Sequence, residues 1–112
     1  MAAVCRIGDL SLGENVGCNL VGTAIVNGSP TVFANGAAVA TVGSNLFPHF
    51  CFRGQQLVSH TNRTISVGSP TVFVNGSAVA CIGAKITAVA SPGDTPCTDS
   101  MRQGSPTVFA AI

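Results

Sequence analysis

Seven side chains in the 112-residue chain are soft or borderline enough to hold a transition metal: Cys5, Cys18, Cys51, Cys81, Cys97, His49 and His60. Thiolate and neutral imidazole in a four-coordinate set are what Zn2+ takes in structural sites. Three of the seven fall at related places. Cys18 stands ten residues before Gly28-Ser29-Pro30, His60 eight before Gly68-Ser69-Pro70, and Cys97 seven before Gly104-Ser105-Pro106. One ligand from each of three returning segments makes a trigonal base for an ion. His49 is the candidate fourth ligand, with Cys51 as the alternative. The expected metal is zinc, with iron second. Binding to a site that is unformed in the unfolded chain adds its free energy to folding. Cys5 and Cys81 lie inside short β-prone runs and read as small buried side chains. No Cys-X-X-Cys pair is present, so the metal site rests on placement alone. The cysteine count is odd, and no spacing suggests a disulfide framework.

Catalytic readings lack their parts. Ser59, His60 and either Asp94 or Asp99 are the residue types of a hydrolytic triad, but no nucleophile elbow or oxyanion glycine turn accompanies them. The four carboxylates, Asp9, Glu14, Asp94 and Asp99, show no pairing suited to glycoside hydrolysis. Neither Gly-x-Gly-x-x-Gly nor a Walker lysine follows any Gly-Ser-Pro. The expected protein is not an enzyme. Only 8% of residues are charged and the net charge is +1, so no surface that tracks phosphates can be built and nucleic acid is excluded as a partner. The chain shows no membrane-spanning apolar run and no basic region leading into an apolar one at Met1–Asp9. Synthesis in the cytoplasm without a signal peptide is the expectation.

The elements that must position these residues are repeats. Gly-Ser-Pro-Thr-Val-Phe occurs at 28–33, 68–73 and 104–109. The first two copies continue alike, GSPTVFANGAAVATVG from Gly28 and GSPTVFVNGSAVACIG from Gly68. In each, Asn-Gly sits between two β-prone runs, the signature of a tight hairpin. Pro30, Pro70 and Pro106 stand at strand starts, where a missing N–H does little harm. The third copy stops at Ile112, and its missing half is at the other end: Ala2–Gly8 aligns with Ala37–Gly43. The two termini therefore complete a third hairpin. With 46% hydrophobic residues, thirteen Gly, six Pro and no Trp or Tyr, the expected fold is all-β: a closed, pseudo-threefold β-prism or cone of three hairpins, one domain over 1–112 with no extension domain. Three connections, 9–24, 44–64 and 84–100, read as loops converging at one end. Phe33, Phe73 and Phe109 are equivalent and read as a core layer, with an outward apolar ring as the alternative.

These repeats, with their Asn-Gly-x-Ala-Val-Ala-x-x-Gly continuations, resemble the PAAR-repeat family over essentially the whole chain. Residues Ala37–Thr41 and Ser77–Cys81 stand where that family carries Pro-Ala-Ala-Arg. The resemblance implies a small cone capping the trimeric, β-helical spike of a contractile injection machine, a type VI secretion system or a phage tail. It also implies an apical zinc bound by His and Cys, here Cys18, His49, His60 and Cys97. Three departures stand out: Gly8-Asp9 is followed by no nearby His, and Gly43-Ser44 and Gly83-Ala84 lack the family's usual Asp. The expected arrangement is a monomer, one copy per spike trimer, delivered into a target envelope and in transient contact with its membrane. Separate effector or cargo proteins are the further expected partners. A free-standing zinc-binding or redox protein is the alternative.

Overall fold

Asn35-Gly36 and Asn75-Gly76 each reverse the chain within two residues. Their φ values, 53° and 81° at the first and 52° and 83° at the second, are those a tight, primed hairpin turn requires at both central positions. The computed structural model describes residues 1–13, 20–90 and 99–110, and every element among them is a strand. Around the two Asn-Gly turns β2 (Phe33–Ala34) pairs with β3 (Ala37–Ala38), and β6 (Phe73–Val74) with β7 (Ser77–Ala78). The termini build the third copy. Strand β1 (Ala2–Ala3) pairs antiparallel with β9 (Phe109–Ala110), Ala3 opposite Phe109 just as Ala38 lies opposite Phe33.

The three hairpins are joined by hydrogen bonds that run in a ring. The Cys5 N–H donates to Ala80 O (2.8 Å), Ala80 N–H to Ala40 O (2.9 Å), and Ala40 N–H to Cys5 O (2.9 Å). A second ring links Ile7 N–H to Ala38 O, Val42 N–H to Ala78 O, and Ile82 N–H to Ala3 O. Backbone groups that would form open strand edges are thus paired with the neighbouring repeat. In each Gly-Ser-Pro the serine Oγ accepts N–H bonds from the residues two and three positions on, at Ser29, Ser69 and Ser105 alike. The serine N–H donates to Val39, Val79 or Val4 O. That approach explains the preceding glycine: a Cβ on Gly28 or Gly68 would lie 2.7 Å from the Val39 or Val79 carbonyl oxygen.

Side chains at equivalent positions fill the interior in levels. Val4, Val39 and Val79 pack with Ala34 and Ala110. Beyond them come Cys5, Ala40 and Ala80, then Ile25, Ile65 and Met101 with Leu46 and Ile86. The turn after each hairpin shows why Asp is not required there. Asp9 Oδ2 accepts the Arg6 N–H (2.8 Å), and Ser44 Oγ accepts the equivalent Thr41 N–H (3.0 Å). Ala84, third in the set, is buried in the apolar core instead.

The connections depart from the loop expectation. Strands β4 (His49–Arg53), β5 (Gln56–Ile65) and β8 (Ile86–Ala90) form an antiparallel sheet in the order β4-β5-β8. Gly54, at φ +65°, supplies the positive φ its two-residue turn needs. The alternation is regular: His49, Cys51, Val58 and His60 share one face, while Phe50, Phe52, Leu57 and Ser59 share the other. A β-bulge between Thr61 and Thr64, with Asn62 at φ +50°, inserts one residue into β5. His60 and Arg63, three apart, are consequently both buried. At about 3.3 Å per residue, β5 carries the Gly54 turn roughly 30 Å from the Ile65 level, along a molecule whose long axis measures 43 Å.

Candidate functional site

His49 and His60 face each other across β4 and β5 as a register pair, and both are buried. Their ring centroids are 5.1 Å apart with the planes tilted by 51°, and His49 Nε2 lies 3.0 Å from His60 Nδ1. His49 Nδ1 is 2.9 Å from the Val21 carbonyl oxygen. A carbonyl only accepts, so this contact puts the His49 proton on Nδ1 and a lone pair on Nε2. The donor set suits a metal. Zinc–nitrogen bonds of about 2.0–2.1 Å place tetrahedral ligand nitrogens roughly 3.3 Å apart, close to the observed separation. A backbone carbonyl holding the other ring nitrogen is the usual device that orients a ligating histidine.

Cys51 lies two residues from His49 on the same face, opposite Val58. It is disulfide-bonded, which the sequence did not suggest, and its partner is neither Cys5 nor Cys81, both free thiols. A bonded sulfur offers no thiolate, so Cys51 serves as a ligand only once reduced. Cys18 and Cys97, like Glu14 and Asp94, lie outside the described residues. Among the described residues no group of three or more His, Cys, Asp or Glu is gathered around one point.

Between the histidines and the apolar core lies a polar level that motif reading missed. Arg63 and Asp99 are fully buried and paired through Nη2 and Oδ2. Arg63 also donates to Thr23 Oγ1 through Nη1 and to Ser11 Oγ through Nη2 (3.2 Å). The second Asp99 oxygen accepts the Gly13 and Ser100 N–H groups, both at 2.8 Å. Thr23, Arg63 and Asp99 each stand five residues before a Gly-Ser-Pro glycine. They are one position of the repeat, filled by three residues that complete one another. Ser11 likewise stands where the other repeats place Leu46 and Ile86, three residues beyond Gly8, Gly43 and Gly83. Counting backwards from each Gly-Ser-Pro glycine finds the first set, and counting forwards from Gly8, Gly43 and Gly83 finds the second. Asp99 has a structural partner here, and its carboxylate is not poised beside Ser59.

At the other end the core-layer expectation for the phenylalanines is overturned. Phe33, Phe73 and Phe109 are 59%, 60% and 50% exposed. In the phenylalanine-bearing strands β2, β6 and β9 the ring faces outward, and the interior takes Ala34, Val74 and Ala110. Three phenyl rings do not fit at one level of so narrow a core, and close packing leaves no slack to admit them. Val32 and Val108 are also exposed beside them. The apolar side chains therefore form a set that repeats with the three hairpins.

An all-β body of this kind, with matched hairpins presenting one apolar set and a buried polar brace behind it, is a structural and docking module. A family model for the PAAR motif matches residues 18–91, and the chain belongs to that family, the spike-tip proteins of contractile injection systems. Association with a spike protein follows from that membership, and the family is one of structural spike-tip proteins. The comparison with curated proteins gives no match.

Proposed function

We propose that this chain caps a trimeric spike as a single copy and narrows its blunt end to a point that enters a target envelope. The observation that carries this reading is the threefold set of exposed Phe33, Phe73 and Phe109. One chain presents three equivalent apolar contacts, which is what a partner with true threefold symmetry demands, and a second copy would have no place to bind. Burying such rings against the spike drives the association, and the low surface charge keeps the contact free of stranded ions. The test is native mass analysis of the purified chain mixed with its cognate spike. One chain per spike trimer is expected, and Phe33→Ser with Phe73→Ser and Phe109→Ser should weaken binding about a hundredfold or more. No complex, or three copies per trimer, would overturn the reading.

The opposite end is held by a structural metal in this proposal. Once the disulfide that holds Cys51 is reduced, Cys18, His49, His60 and Cys97 would bind it, and the chemistry it supplies is a rigid tie between the three connections. His49, fixed by Val21 O, presents Nε2 without rearrangement. Elemental analysis of protein purified under reducing conditions should find about one zinc per chain. Chelation should lower the melting temperature, and His60→Ala should lower the metal content while Cys5→Ala leaves it unchanged. A well-folded, reduced protein free of metal would sink this part.

A further inference from the structure

The chain has five cysteines, of which Cys5 and Cys81 are free thiols. Cys51 is disulfide-bonded, so its partner is one of the remaining two, Cys18 or Cys97. Both of these belong to the zinc set proposed above, and Cys51 does not. The bond therefore withdraws one thiolate from that set, whichever of the two supplies it. It also joins the middle connection to a neighbour, since Cys51 lies in 44–64, Cys18 in 9–24 and Cys97 in 84–100. Metal and disulfide thus tie connections to one another and compete for the same sulfur. Strand register puts that competition beside the histidines. Cys51 shares a face with His49 and His60, both buried. At about 3.3 Å per residue its Cα lies roughly 7 Å from that of His49.

We propose that this end is a redox switch: with its thiols reduced it holds zinc, and oxidation by a small-molecule disulfide closes the Cys51 bond and releases the ion. The inference rests on the zinc reading and makes Cys51 the resolving cysteine rather than a ligand. The exchange balances. The ligand thiolate, Cys18 or Cys97, attacks the S–S bond of the reagent, expels one thiolate and is left in a mixed disulfide. The Cys51 sulfur then displaces the second thiolate, and its proton passes to one of the two leaving groups. The chain loses two electrons and the reagent gains them. His49 and His60 are left with one thiolate, short of the four ligands a closed zinc site uses. A dithiol reductant reverses the step. In a reducing compartment the metal ties the connections, and in an oxidising one the disulfide does so.

The test starts from the purified chain, reduced, loaded with zinc and freed of excess metal and reductant. Oxidised glutathione is added with a chromogenic zinc chelator, and release is counted against a sample without oxidant. About one zinc per chain should be released, leaving Cys5, Cys81 and one other thiol to alkylate after denaturation. Peptide mapping should find Cys51 joined to Cys18 or Cys97. Cys51→Ser should take up zinc normally and release it about tenfold more slowly, while Cys5→Ala should behave as the parent chain. The oxidised, metal-free chain should melt near the zinc-loaded one, and the reduced, metal-free chain lower. Zinc that stays bound after the Cys51 bond has closed overturns this inference alone. So does release at an unchanged rate from Cys51→Ser, or a bond from Cys51 to Cys5 or Cys81. A reduced chain that takes up no zinc overturns the zinc reading and the switch with it.

Discussion

Replacing Asp99 with alanine should destabilise the chain by about 3–5 kcal/mol, read as a shift in the denaturant midpoint at unchanged slope. The carboxylate is fully buried against Arg63, whose side chain is equally inaccessible. Removing it leaves a guanidinium in the interior with only Thr23, Ser11 and the Phe47 carbonyl as acceptors among the described residues. The Arg63 Nε already has no hydrogen-bond partner among the described residues, so the loss is not made up there. The Gly13 and Ser100 N–H groups would lose their acceptor too. Joint replacement, Arg63→Met with Asp99→Leu, should recover much of the loss, because it removes the stranded charge along with the pair. A loss below about 1 kcal/mol for Asp99→Ala would show that the polar level does not brace the fold.

The second large effect concerns a thiol. Cys5 should react with alkylating reagents about a thousandfold more slowly in the folded chain than in denatured protein at pH 8, from ionisation alone. Its pKa is pushed up from 9.0 to about 12, first by burial, then by the negative charge of Asp9 and that of a Cys81 thiolate. Its Sγ–H donates to the Gln103 carbonyl oxygen at 3.2 Å. Burial raises the Cys81 thiol as well. The sign for stability follows. Between about pH 9 and 12 the unfolded chain has released a proton that the folded chain still holds at Cys5. Stability from this group is therefore full below pH 9 and falls as the pH rises toward 12. Labelling followed by peptide mass analysis reads the rate directly. Rapid labelling of Cys5 under native conditions would mean that the ring of hydrogen bonds around it opens readily.

The hairpins were legible because their information is local. Asn35-Gly36 and Asn75-Gly76 take positive φ with little penalty, and the short runs beside them have one way to pair. The third hairpin was legible from alignment alone, since Ala2–Gly8 continues what Phe109 and Ala110 begin. The middle connection reads as a loop in the sequence because its strands alternate residues that do not look like core: His49, Cys51 and His60 on the inside, Phe50 and Phe52 on the outside. That is the reverse of the usual binary pattern, and hydrophobic periodicity alone gives it no inward face. The bulge after Thr61 was invisible for a different reason. Its function is to bring Arg63 inward after His60, and that need exists only once Asp99 lies opposite.

The amino-acid sequence by itself determined the repeat, its circular order and the meeting of the termini, because identical short motifs carry the same turn chemistry wherever they occur. Only the tertiary structure decided what stands at each level of the interior. Three equivalent positions meet there, so the volume and charge at any one of them depend on the other two. Small residues, Cys5, Ala40 and Ala80, satisfy that limit, whereas Phe33, Phe73 and Phe109 exceed it and face outward. Thr23, Arg63 and Asp99 satisfy it by complementing one another, which no residue of the three reveals alone.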